Sequence, residues 1–200
     1  MDFYLNYLYH MHKNDKICLF KDSEPDVNQV MPNLFLGNVR IASNTDFLHK
    51  NNIGTVIRIL ENDDGTRELS IIPKRIDSIN YYIIPIRDVD VCLRDINHLL
   101  DKTSEIIKDS LKNNVPVLVH CKKGHHRSAV VVGAFMMKYL NTDFISTVKY
   151  INDHRKCAFR RDTCMVRSMF KYHKYMLGEE CHRIVPFKDE RSNVYNYMSY

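Results

Sequence analysis

Residues 115–140 read VPVLVHCKKGHHRSAVVVGAFMMKYL: a strand, a tight loop and a helix in immediate succession. Pro116 to His120 is a short apolar run rich in β-branched residues, as a strand buried on both faces requires. Ala129 to Met137 is apolar on every side, so a helix there is buried over most of its surface. Between them stands Cys121-Lys122-Lys123-Gly124-His125-His126-Arg127-Ser128. A cysteine at a strand's end, a glycine in mid-loop and an arginine at the mouth of a helix make an anion site with a nucleophile at its base.

Each part has a physical reason. Successive loop N–H groups form a nest for phosphate oxygens, and the helix N-terminus adds partial positive charge. Gly124 admits a backbone conformation that a Cβ penalises. Arg127 can hold two phosphate oxygens through its planar fork, which a lysine cannot copy. The same positive field favours the thiolate of Cys121, the reactive form. Ser128 can donate a hydrogen bond to the sulfur and help it leave a thiophosphate.

This Cys-x5-Arg-Ser segment, with His120 before the cysteine, resembles the signature of the protein tyrosine phosphatase superfamily, and the short chain resembles its dual-specificity branch. The resemblance spans about residues 27–177. It implies an α/β fold: a central, largely parallel sheet of about five strands flanked by helices. It implies that Cys121 is the nucleophile and that Arg127 binds phosphate together with the backbone of Lys122, Lys123, Gly124, His125 and His126. Ser128 assists the leaving thiolate, and His120 orders the loop rather than acting as a base. The family's proton donor is an aspartate in the loop after the strand preceding this unit. Asp88 matches that position best, and Asp90, two residues on, is the alternative. The same acid then activates water. No metal and no cofactor are expected. Many family members carry Pro-Asn before the last helix; here the chain reads Phe159-Arg160-Arg161-Asp162, so the packing of that helix is left open.

The implied activity is metal-independent hydrolysis of phosphotyrosine and phosphoserine or phosphothreonine in proteins. The loop is unusually basic, at Lys122, Lys123, His125 and His126. Family branches acting on inositol pyrophosphates, phosphoinositides or RNA 5′-triphosphate share that feature, and such substrates are the alternative. A phosphate-binding pseudoenzyme is a further alternative, but no expected catalytic residue type is missing.

Outward from the loop, Val27 to Gly37 reads as two short strands around a Met31-Pro32-Asn33 turn. Asn44 to Asn52 suits a short helix, and Thr55 to Leu60 a buried strand. Its Arg58 is either an edge residue reaching solvent or part of a basic pocket floor. Glu61 to Asn80 is polar and turn-rich, and its length suggests a functional rim. Tyr81 to Ile86 is a strand that Pro85 directs out of the sheet. Leu93 to Leu111 has helical apolar spacing. Thr142 is the candidate cap of a helix running to about Arg155. Arg161 to Leu177 is the last helix, stopped by Gly178.

Three segments result. Residues 1–26 form an extension whose Phe3, Tyr4, Tyr7, Leu8 and Met11 share one helical face, suited to packing on the domain or pairing two copies as a homodimer. Residues 27–177 are the catalytic domain. Residues 178–200 are a polar, Tyr-rich tail, expected without regular structure or draped on the surface. The net charge of +5 fits anionic partners but is too small to argue for nucleic acid or membrane. Phosphorylated proteins are the expected partners, and nucleic acid enters only as an RNA 5′-triphosphate substrate. The six cysteines show no regular spacing, so all are expected reduced, in an intracellular and cytoplasmic setting. Cys157, Cys164, Cys181 and His182 lack zinc spacing. Cys92 lies near Asp88 and is a candidate redox partner of Cys121.

Overall fold

A computed structural model of the chain describes residues 25–60, 75–87, 95–159 and 163–179, with backbone alone at 163–164, 184–189 and 194–199. Strand β1 (Val27–Met31) turns back on β2 (Leu34–Gly37) as an antiparallel pair. Asn33 makes the turn at φ 61°, a conformation that asparagine tolerates better than most residues. The other main-sheet strands are β3 (Thr55–Leu60), β4 (Asn80–Pro85) and β5 (Val117–His120). They run parallel to one another and to β2, in the order β1-β2-β5-β3-β4. The expected α/β architecture, a five-stranded and largely parallel sheet flanked by helices, is what the chain forms.

Side-chain alternation assigns the two faces. Leu34, Leu36, Ile57, Ile59, Val117 and Val119 bury against the larger core. That core is built on α3 (Asn97–Lys112), α4 (Arg127–Leu140), α5 (Phe144–His154) and α6 (Thr163–Met176). Phe35, Val56 and Leu118 face the other way, against Ile41, Ala42 and Leu48 of two short helices, α1 (Val39–Ala42) and α2 (Thr45–Lys50). Every residue of β5 is buried, because both faces of the central strand are covered. Asp101 of α3 joins three helices: it accepts from Lys138 Nζ of α4 (2.8 Å) and from Tyr172 Oη of α6 (2.7 Å). Burial raises the pKa of its carboxyl, but these hydrogen bonds outweigh burial and hold it below the usual carboxylate range.

Several expectations need correction. The helix expected from Leu93 begins at Asn97, where the Asp95 carboxylate takes the Asn97 N–H (2.8 Å) and satisfies an end amide locally. The cap of α5 is Asp143, which accepts the Ser146 N–H (3.0 Å). Thr142 instead pairs with the hydroxyl of Thr147 (2.8 Å). Arg58 is not at a sheet edge: β3 lies between β5 and β4, and Arg58 is in register with His120. The tail carries an antiparallel pair, β6 (Ile184–Asp189) and β7 (Val194–Ser199). Cys157, expected as a thiol, is buried and disulfide-bonded to a cysteine whose side chain lies outside the described residues. Irregular spacing could not show this, since a disulfide needs only two Cβ atoms brought close by the fold. The expected helix near Phe3 to Met11 and most of the 61–80 segment also lie outside the described residues. Among the described residues no helix is long and apolar enough to cross a membrane.

Candidate active site

The site is the turn from β5 into α4. β5 ends at His120, and Cys121 follows with 4% of its surface exposed. The chain then bends through Lys122 to His126 before α4 begins at Arg127. The Gly124 N–H donates to Cys121 Sγ at 3.2 Å, and Ser128 Oγ donates to the same sulfur at 3.4 Å. Two donors thus converge on one buried sulfur, which fixes where it points at the base of the loop. Arg127 and Ser128 are buried in the first turn of α4, where the helix end carries partial positive charge.

The loop's carbonyls are taken up by the surrounding structure. Lys122 O accepts from the Val39 N–H (3.3 Å), His125 O from the Phe159 N–H (3.0 Å) and His126 O from the Val130 N–H (2.9 Å). Gly124 O accepts from Arg155 Nε (2.6 Å). A trans peptide directs C=O and N–H oppositely, and among the described residues none is cis. Carbonyls engaged by the body of the protein therefore leave the N–H groups of Lys123, His125, His126 and Arg127 directed away from it. Gly124 takes φ +72°, and it packs directly on the backbone of Gly37 at the end of β2. Lys122 and Lys123 are exposed, His125 and His126 half-buried. The two imidazoles meet edge to face, with centroids 6.2 Å apart.

His120 is buried, with Nδ1 3.4 Å from the Cys121 carbonyl. Burial pushes its pKa down to about 4, the neighbouring charge of Arg58 adds to this, and the backbone hydrogen bond opposes it. The ring is therefore neutral near pH 7. Arg58 thus lies beside the site, next to His120.

Cys121, Arg127, Ser128, His120 and the loop backbone are brought together; Asp88, Asp90 and Cys92 lie outside the described residues. β4 delivers the chain toward Asp88: Ile86 is buried, and its N–H reaches Leu60 O at 2.8 Å. Two residues at this site carry no expectation from the sequence: Asn38 beside the loop, and Arg155 bonded to it. Asn38 caps α1 by accepting from the N–H groups of Arg40 (2.9 Å) and Ile41 (3.1 Å), and its amide donates to Asp26 Oδ1 (2.6 Å). Arg155 reaches the loop from the end of α5. An asparagine just past a strand's glycine was a readable cap signal; nothing local marked Arg155. Among the described residues no cluster of histidine, cysteine or carboxylate side chains could hold a metal ion.

Residues 34–175 match the family model described as the dual specificity phosphatase catalytic domain. The chain is 28% identical over 134 residues to Dual specificity protein phosphatase 1B of Arabidopsis thaliana, covering 67% of this chain and 74% of that protein. It is 30% identical over 132 residues to Dual specificity protein phosphatase 22 of Xenopus tropicalis, covering 66% of this chain and 58% of that protein. Among solved structures, the human tyrosine phosphatase-like serine/threonine/tyrosine-interacting protein superposes with a TM-score of 0.67 at 25% identity, covering 76% of this chain and 97% of that one. Human DUSP28 superposes with a TM-score of 0.66 at 19% identity, covering 76% and 96%, a likeness of fold.

Proposed function

We propose, for a chain that belongs to the dual specificity phosphatase family and is a protein phosphatase of the cysteine-based mechanism, that Cys121 is its nucleophile and that it acts on both phosphotyrosine and phosphoserine or phosphothreonine in proteins. The observation that carries this reading is the pair of donors, Gly124 N–H and Ser128 Oγ, on the buried Cys121 sulfur.

In the first step the Cys121 thiolate attacks phosphorus in line. The P–S bond forms as the P–O bond to the substrate breaks. Asp88 gives its proton to the departing oxygen. Arg127 and the loop N–H groups hold the phosphoryl oxygens and balance their charge through the transition state. In the second step Asp88, now a carboxylate, takes a proton from water as that water attacks phosphorus. The P–S bond breaks, phosphate leaves, and the Ser128 hydroxyl steadies the returning thiolate. His120 stays neutral and orders the loop.

Phosphorylated proteins are the partners this chemistry needs. A homodimer through residues 1–26 and an intracellular setting, where Cys121 stays reduced, belong to the same proposal. Rapid acid quench of a turnover reaction, followed by mass spectrometry of the Cys121 peptide, tests it. One phosphoryl adduct on that peptide, absent in Cys121→Ser, is expected. Undiminished turnover by Cys121→Ser would refute it. Sedimentation of the full chain beside a chain lacking residues 1–26 tests the dimer: a monomer in both cases refutes that part.

A further inference from the structure

Among the described residues Arg155 is the largest fully buried side chain by volume, with 1% exposure, and it is charged. It follows α5 and lies 31 residues along the chain from the loop glycine it touches. Its Nε donates to Gly124 O at 2.6 Å, and its Nη2 to Lys123 O at 3.4 Å. Its Nη1 donates to Pro25 O at 3.0 Å and to Asn28 Oδ1. One guanidinium thus clamps two adjacent loop carbonyls to the start of β1.

We propose that Arg155 is a positioning residue for phosphate binding: it sets the anion loop from behind by fixing the peptide planes whose N–H groups face the anion. The inference rests on the Cys121 loop being the phosphate site. The peptide whose carbonyl belongs to Lys123 carries the Gly124 N–H that meets Cys121 Sγ at 3.2 Å. The peptide whose carbonyl belongs to Gly124 carries the His125 N–H. Each is planar, so an arginine holding the oxygens also aims the hydrogens. A cationic donor on a carbonyl polarises the peptide and makes its N–H a stronger donor. Arginine suits the task better than lysine, because its planar fork reaches several carbonyls in a fixed geometry. Burying a guanidinium is costly unless its donors are met. An apolar side chain would fill the same space without that cost, but it would leave Lys123 O and Gly124 O without this donor. Asn28 and Pro25 hold the outer edge of the guanidinium, so β1 braces the loop through Arg155.

The test compares wild type with Arg155→Met, Arg155→Lys and Asn28→Ala in the full chain. Two probes do not need turnover: iodoacetate alkylation of Cys121 in mildly acidic buffer, and protection of Cys121 by inorganic phosphate. Urea unfolding reports folding. Arg155→Met is expected to bind phosphate at least about tenfold more weakly, to alkylate more slowly and to lose about a hundredfold in kcat/KM, while unfolding cooperatively. Arg155→Lys recovers part of each loss, and Asn28→Ala shows a smaller loss of the same kind. Unchanged phosphate protection and alkylation in Arg155→Met, with only a lower urea midpoint, would overturn the role of Arg155 alone. If Arg155→Met does not fold, the other two variants decide: unchanged phosphate affinity in both overturns the proposal, and a graded loss in both supports it. Failure of phosphate to protect wild-type Cys121 would instead overturn the site reading, and the role of Arg155 with it.

Discussion

Gly124 lies so close to Gly37 that a Cβ on Gly124 would come 2.3 Å from the Gly37 carbonyl oxygen and 2.5 Å from its carbon. The contact is backbone to backbone, so no side chain can swing aside. Gly124 also sits at φ +72°, which L side chains rarely adopt. The end of β2 and the anion loop are thus held together at a point where only glycine fits. Gly124→Ala is expected to cost about 1–3 kcal/mol in urea unfolding. It should also lower phosphate affinity, because the Gly124 N–H moves away from Cys121 Sγ. Competitive inhibition by inorganic phosphate reads the second effect.

Ser128 donates to the sulfur that must leave in the second step. A hydrogen bond to a charged group contributes about 1.5–3 kcal/mol, so Ser128→Ala should slow dephosphorylation by about ten- to a hundredfold. Formation of the intermediate should change much less. Pre-steady-state kinetics with an aryl phosphate would show a burst followed by slow turnover. Equal slowing of burst and turnover would contradict this role.

His120 gives stability a specific dependence on pH. Its pKa is about 4 in the folded chain and about 6.5 when unfolded. The unfolded state therefore gains a proton before the folded state does. The contribution is fully present above pH 6.5 and is lost as pH falls from 6.5 to 4, by about 3 kcal/mol. His120→Asn keeps a polar, neutral group and should remove this component. Urea unfolding of both proteins across that range would show the slope in wild type and its loss in the variant.

Asp88 and Asp90 separate by substitution. Asp88→Asn should reduce kcat on phosphopeptides by about 10²- to 10⁴-fold, the usual contribution of a positioned proton donor. Substrates whose leaving oxygen needs no proton should suffer less. Asp90→Asn should stay near wild type. The reverse pattern would move the role to Asp90.

The parts readable in the sequence were those with local causes. β3 has its expected limits, because TVIRIL is bounded by Gly54 and a polar run. The Met31-Pro32-Asn33 turn and the strand–loop–helix unit were legible because turn chemistry and periodicity are written in neighbouring residues. Arg155 was not, since its meaning depends on Gly124 and Pro25, far away in the chain and met only on folding. Asp143, which caps α5 in place of Thr142, illustrates a smaller ambiguity. Several polar residues near a helix start can cap it, and the backbone path selects one. The two readings of Arg58 could not be separated in the sequence because strand order, not strand sequence, decides which strand lies inside.

The most direct test of the central claim is phosphate release by wild type and Cys121→Ser, with EDTA present, on phosphotyrosine peptide, phosphothreonine peptide, an inositol pyrophosphate and 5′-triphosphorylated RNA. Turnover of both peptides by wild type, abolished in Cys121→Ser, is the predicted result. Turnover confined to the inositol pyrophosphate or the RNA, or peptide turnover that survives Cys121→Ser, would contradict it.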